Sequence, residues 1–296
     1  MLGLDAKFLY SETPTAHMHT LKIAVFDVAD VPGGIPFGEV VDHLEHRLDR
    51  LPPLRRRVVP VPLALGHPVW IEDPAFDLRR HVHRRAVEAP GGDRELAALV
   101  AEIAGQPLLR DRPLWEITIV EGLTQKRLAA VAKVHHAVAD GAASVALLLE
   151  ALAAGGPNGA HQTWRPEDVP GDSALLRMAL AAHLHRLRRL PWLVARSVTG
   201  LRQAAALRRA ARVAPPLPLS TPRTPFNVSL TPERTFAMTT LPLEDLKAVR
   251  RAVGTTLNDV FLAVCSGAVR SYLLERNALP GRPLVASVPL STAPSS

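Results

Sequence analysis

Cysteine is almost missing from this chain of 296 residues. Cys265 stands alone, so no internal disulfide can form, and neither a disulfide-stapled scaffold nor a cysteine zinc cluster is available. Aromatic residues make up only 4% and no recognition motif accompanies them, which argues against a nucleic-acid partner. No stretch of about 18 residues is free of charge, so no membrane-spanning helix is expected. The start, Met1 to Lys7, lacks a basic stretch followed by an apolar run and does not read as a secretory signal. Neither a Gly-x-Ser-x-Gly elbow nor a Gly-x-Gly-x-x-Gly turn is present, which weakens a serine hydrolase and a dinucleotide enzyme as readings.

What the chain does have is 47% apolar and 21% charged residues, enough to bury one large core or two ordinary ones. Its basic residues are almost all arginine: of 35, only Lys7, Lys22, Lys126, Lys133 and Lys247 are lysines. Nine arginines lie between Ser173 and Ala214 with no acidic residue among them. That window carries +9 against a total of +7, so the positive charge is localised.

The hydrophobic patterns alternate between helix and strand lengths from Leu4 to about Gly155, which predicts an α/β fold. Helices are expected over Asp5 to Tyr10, Val40 to Leu51, Asp93 to Gly105 and Ala142 to Ala154. Strands are expected over Leu21 to Val28, Val69 to Ile71, the alternating stretch Leu78 to Arg84, Ile117 to Val120 and Leu128 to Val134. These elements form a first domain, residues 1–157. Residues 158–231 read as a connector with proline-rich ends and a helical middle, in which Pro191 should break or kink the helix. Residues 232–296 begin a second domain: strand Phe236 to Leu241, helices Pro242 to Ala252 and Leu257 to Asn277, and strand Leu284 to Val288. About sixty residues do not close a core alone, so this part reads as incomplete.

The sharpest motif is His135-His136-Ala137-Val138-Ala139-Asp140-Gly141, between a strand and the helix that opens at Ala142. An imidazole with an ordinary pKa of about 6.5 can take a proton from a hydroxyl attacking a carbonyl, and a strand end holds it rigidly. Adjacent histidines on a strand point to opposite sides, so one would face substrate and the other would be structural. The plainer reading is two satisfied core histidines and an aspartate at a helix N-terminus.

His135-His136-x-x-x-Asp140-Gly141 resembles the signature of the superfamily of chloramphenicol acetyltransferases, carnitine acyltransferases and peptide-synthetase condensation domains. Further stretches are similar to the bacterial wax ester synthase/acyl-CoA:diacylglycerol acyltransferase family: Leu4 to Tyr10 with Glu12-Thr13-Pro14, Met18-His19, Pro113-Leu114-Trp115-Glu116 and Asn258-Asp259. The resemblance implies a chloramphenicol acetyltransferase-like, condensation-domain-like sandwich, with a first domain complete and a second one partial. It implies transfer of a long-chain acyl group from acyl-CoA to the hydroxyl of diacylglycerol or a fatty alcohol, giving triacylglycerol or wax ester, without metal or cofactor. His136 would be the general base, with His135, Asp140 and Gly141 supporting the loop.

For Pro113, Leu114 and Trp115 the resemblance suggests substrate contact, and composition suggests a turn and core. For Asn258 and Asp259 it suggests site shaping, and Thr256-x-x-Asp259 also reads as a capping box. Cys265 is expected to be small and buried. The pairs His17/His19 and His81/His83 lack a third ligand, so no metal site is expected. The arginine-rich helix is read either as a face for an anionic membrane or lipid droplet, or as a solvated bridge. The expected setting is cytoplasmic, with peripheral attachment at the inner membrane face or a lipid droplet. Rival functions are a carrier-protein-dependent condensation-type acyltransferase and a non-catalytic, lipid-surface-binding remnant.

Overall fold

A strand composed as Arg-Leu-Ala-Ala-Val-Ala-Lys-Val-His is too apolar to have a wet face, and the structure gives it two dry ones. In the computed structural model, which describes residues 1, 3–139, 141–153, 166–210 and 221–286, the chain divides into two compact units. The first comprises Met1–Arg188 with Leu230–Met238, and the second Arg189–Ser229 with Thr239–Ser296.

The first unit opens with helix α1 (Gly3–Ser11), strand β1 (His19–Asp27) and helix α2 (Phe37–Arg47). Strands β2 (Arg56–Val59), β3 (Val69–Glu72) and β4 (Val82–Ala86) follow, then helix α3 (Asp93–Gly105), strands β5 (Trp115–Leu123) and β6 (Arg127–His135), and helix α4 (Gly141–Leu152). The main sheet has the order β1-β6-β5-β4. The β1/β6 and β6/β5 pairs are antiparallel and the β5/β4 pair is parallel; β2 and β3 form a separate antiparallel pair.

Two-residue periodicity along β6 sorts its side chains between two layers of helix. Leu128, Ala130, Ala132 and Val134 join Leu44 of α2, Ala151 of α4, Trp115 and Ile117 in one cluster. Ala129 and Val131 join Leu96, Leu99, Val100 and Ile103 of α3 in the other. Lys133 and His135 continue the second parity, and both are buried. The small alanines let helices approach both faces of the central strand, which makes the end of β6 a rigid position from which to launch a loop.

Helix α5 (Asp172–Ala210) starts in the first unit by seating Leu175 and Ala179 on Val59, Val61 and Ile71 of the β2/β3 layer. Gly66 permits that approach, since a Cβ there would lie 3.1 Å from the Ala179 side chain. Pro191 lies inside α5 and does not end it. The Ala-, Leu- and Arg-rich flanks have high helix propensity, and one lost internal hydrogen bond does not outweigh them. In the second unit, helices α6 (Leu243–Val253) and α7 (Leu257–Glu275) are joined by Gly254 in the left-handed region at φ 68°.

Three expected strands are corrected. Leu78–Arg80 is a 3₁₀ turn, with the strand beginning at Val82, because Asp77 caps Arg79 through its carboxylate. Phe236 to Leu241 forms no strand: Met238 packs against the α3 cluster while Phe236 and Leu241 are exposed, and its backbone is paired with no ladder. Leu284 to Ala286 is not strand either, and the rest of that stretch lies outside the described residues. The helix expected to reach Leu51 ends at Arg47 and tightens into a 3₁₀ turn, Leu48–Arg50.

Candidate active site

The two histidines leave the sheet in different environments. His135, the last residue of β6, is paired in register with His19 and is only 1% exposed. Its backbone N–H donates to Leu114 O at 3.0 Å, and its Nδ1 accepts the Ala137 N–H at 3.0 Å. With Nδ1 occupied as an acceptor, the neutral ring carries its proton on Nε2. Burial, with Arg110 and His136 acting in the same direction, pushes His135 down to about 4 against the opposing pull of Glu12. This ring is neutral near pH 7 and its lone pair is used internally.

His136 is half-buried. Its N–H donates to Met18 O at 2.8 Å, and its ring stacks on Phe8 of α1, with centroids 4.8 Å apart and planes at 20°. The chain then turns: Val138 N–H donates to His135 O at 2.9 Å. Gly141 begins α4, so the motif lies between strand and helix. Asp140 falls outside the described residues.

A carboxylate absent from the expected site residues sits beside this turn. Glu12, just past α1, receives Arg110 Nη2 at 2.6 Å and the Met18 N–H at 3.3 Å. Its Oε2 is 3.7 Å from His135 Nε2, an ion-pair distance longer than a hydrogen bond. Burial works to raise the Glu12 pKa; Arg110, His135 and the Met18 N–H outweigh it, and the carboxyl is held below its usual range. Arg110 also donates to Leu9 O at 3.1 Å. No spacing rule joins Glu12 to Arg110 or His135, because about a hundred residues separate them; the only linear signal was membership of the Glu12-Thr13-Pro14 stretch.

Lys133 was likewise not anticipated. It is 1% exposed, 3.0 Å from Glu116, and donates to Ile103 O and Gln106 O, tying the last carbonyls of α3 to β6. His17 and His19 stack at 5.4 Å and donate through Nε2 to Gly105 O and Ala104 O, each at 3.1 Å. Burial, aided by Lys133, pushes His19 down to about 4. No group of three metal-binding side chains occurs among the described residues.

Pro113, Leu114 and Trp115 are fully buried. Leu114 packs with Leu9, Leu108 and Ala137, so it supports the histidine turn from below. Trp115 donates from Nε1 to Leu54 O at 2.6 Å and stacks on His81, which donates from Nδ1 to Trp115 O at 2.8 Å. Asn258 and Asp259 lie in the second unit at the start of α7. Asp259 is exposed; the Thr255 and Thr256 hydroxyls and the Thr256 N–H donate to it and hold its carboxyl down to about 2. Thr256 in turn accepts the Asp259 N–H, completing a capping box. Cys265 is exposed, contrary to expectation, because the face of α7 that carries it has no covering element among the described residues of its unit.

A cavity of about 100 Å³ lined by Pro53, Arg56, Trp70 and Val138 borders the histidine turn. A larger one, about 880 Å³, lies between α3 and residues 232–238 and includes no residue of the turn.

This α/β layout, with a histidine pair at the end of a central strand, matches a solved wax ester synthase/diacylglycerol acyltransferase from Marinobacter aquaeolei VT8. The TM-score is 0.66 at 29% identity, over 98% of this chain and 64% of that one. The family model described as wax ester synthase/diacylglycerol acyltransferase catalytic domain matches residues 1–261, and the chain belongs to that family. A Mycobacterium tuberculosis protein named provisionally as a diacylglycerol O-acyltransferase is 41% identical over 290 residues, covering 98% of this chain and 61% of its own length. A similarly named Mycobacterium bovis protein is 37% identical over 299 residues, at 98% and 58%. The chain thus spans about three fifths of the length of the relatives it matches.

Proposed function

We propose that this chain carries the proton-transfer half of an acyltransferase site, moving a long-chain acyl group from acyl-CoA to the hydroxyl of diacylglycerol or a fatty alcohol. His136 is the general base. It removes the hydroxyl proton as the oxygen attacks the thioester carbonyl; the tetrahedral intermediate collapses, the C–S bond breaks, and the imidazolium returns its proton to the CoA thiolate. No acyl-enzyme forms in this sequence of steps. The observation that carries the reading is the division of labour between the rings: His135 is buried with its lone pair engaged, while His136 is half-buried against Phe8, in a turn whose Val138 lines a cavity. That cavity, at about 100 Å³, is smaller than the several hundred Å³ a drug-sized ligand needs, so an acyl chain requires further walls.

The test is transfer of labelled acyl groups from acyl-CoA to diacylglycerol and to hexadecanol. His136→Ala should lower turnover by 10²-fold or more. Undiminished turnover in that variant would remove the base assignment, and an inactive parent chain would favour a non-catalytic lipid binder.

Insoluble acceptors require a protein that meets a lipid surface, and α5 is the element suited to it. Leu180, Leu184 and Leu187 are exposed at helical spacing on its part in the first unit. Eight arginines accompany them between Asp172 and Ala210, with no acidic residue after Asp172. Each basic residue near an anionic surface contributes about 1 kcal/mol.

A further inference from the structure

We propose that Glu12 is the positioning residue of the histidine pair, holding both rings in register for the proton transfer from a place over a hundred residues upstream. The kinetic part of this inference rests on the His136 reading above. The geometric part does not.

Three contacts converge on one carboxylate. Oε2 faces Nε2 of His135 at 3.7 Å, and among the described residues that nitrogen, although buried, makes no hydrogen bond. Since Nδ1 of the same ring accepts from Ala137, the proton on Nε2 points to the carboxylate, and an anion there selects this tautomer over its alternative. Oε1 receives the Met18 N–H, and the Met18 carbonyl in turn receives the His136 N–H at 2.8 Å. Glu12 therefore reaches His135 through its ring and His136 through its backbone.

Arg110 anchors the arrangement. Its guanidinium holds Oε2 at 2.6 Å and also bonds Leu9 O, fixing the end of α1 against the same carboxylate. The Glu12 side chain is 10% exposed, so its charge acts where water screens weakly. Phe8, one turn earlier on α1, stacks on His136. The helix that presents the carboxylate thus also supplies a ring face, and displacing Glu12 displaces both constraints on His136 together.

The test compares the parent chain with Glu12→Gln, Glu12→Ala and Arg110→Met by long-range ¹H–¹⁵N spectra of the histidine rings, with His135 assigned through its loss in His135→Asn. In the parent, His135 should show a single neutral tautomer protonated on Nε2. In Glu12→Ala it should change to averaging between tautomers, with a shift in the His136 ring signals. Glu12→Gln, which keeps an acceptor oxygen, should restore the single tautomer. Should Glu12→Ala fail to fold, Arg110→Met must still shift the His135 and His136 signals, because it frees the carboxylate from its anchor. Unchanged ring signals in every variant that folds would overturn the proposal and leave Glu12 a stabilising residue only. In the acyl-transfer assay Glu12→Ala should lose on the order of 10²-fold in kcat at nearly constant KM, with Glu12→Gln recovering most of it. Loss confined to KM would also count against positioning. Because the spectra require no turnover, a chain inactive in transfer still decides the geometric claim.

Discussion

A buried imidazole, a half-buried one and a buried ammonium define what individual residues contribute around the turn. His135 and His19 are both held near a pKa of about 4, against 6.5 for a free imidazole, with burial the main cause in each. Between these values the unfolded chain binds protons that the native protein does not, so stability increases with pH through that window and is flat above it. Urea midpoints should therefore be constant above about pH 7 and fall as pH drops from 6.5 towards 4. His19→Gln should make that acid slope shallower; an unchanged slope would mean that His19 is not held neutral. Lys133 acts differently, as a cation that closes the end of a helix. Lys133→Met leaves Glu116 and the carbonyls of Ile103 and Gln106 without their donor, and should cost about 3 kcal/mol in urea unfolding at pH 7.

Single glycines and caps decide how the elements end. Gly91 has φ +74° and its position crosses the backbone of β5, where an added Cβ would lie 2.1 Å from Gly122 O. The atom it meets is main chain, which cannot swing aside, and Gly122 itself has φ +80° at the register shift between Val120 and Leu123. Gly91→Ala should therefore destabilise the protein by more than the roughly 1 kcal/mol expected of a left-handed conformation alone, read as a lower melting temperature. A change within error would show that the crossing relaxes freely. Thr256→Ala, by contrast, removes one cap from α7 and should cost about 1 kcal/mol, read as reduced helical circular dichroism on heating.

Over the whole molecule, apolar side chains are exposed along α5 and along α7. Among the described residues α7 (Leu257–Glu275) is the one helix long and apolar enough to cross a membrane by length and composition, with mean hydropathy 1.2 and 11% of it buried. It still carries Asp259 and Arg270, and its unit contains few elements to cover it. The arginines are concentrated on α5, so charge and not apolar length should govern attachment to lipid. In flotation assays the chain should bind vesicles containing phosphatidylglycerol, release with added salt, and bind phosphatidylcholine vesicles weakly. Equal binding to both vesicles, insensitive to salt, would make α7 the better candidate.

Local patterns in the sequence were enough to locate most helices, the central strands and the motif at the end of β6. Hydrophobic period, caps and terminal glycines act over a few residues, and they carry the same meaning wherever the chain later folds. The expected strand at Phe236 to Leu241 and the break at Pro191 show the limit of that logic, because a strand exists only where another backbone receives its hydrogen bonds, and a proline ends a helix only where its neighbours do not sustain it. Whether Pro113, Leu114 and Trp115 touch substrate or fill the core was likewise undecidable along the chain; packing buried all three. The relation of Glu12 and Arg110 to the histidines depended entirely on the tertiary structure. Their chemistry is a matter of distance through space, and only the docking of α1 beside the end of β6 brings a carboxylate, a guanidinium and the His135 imidazole within a few ångströms.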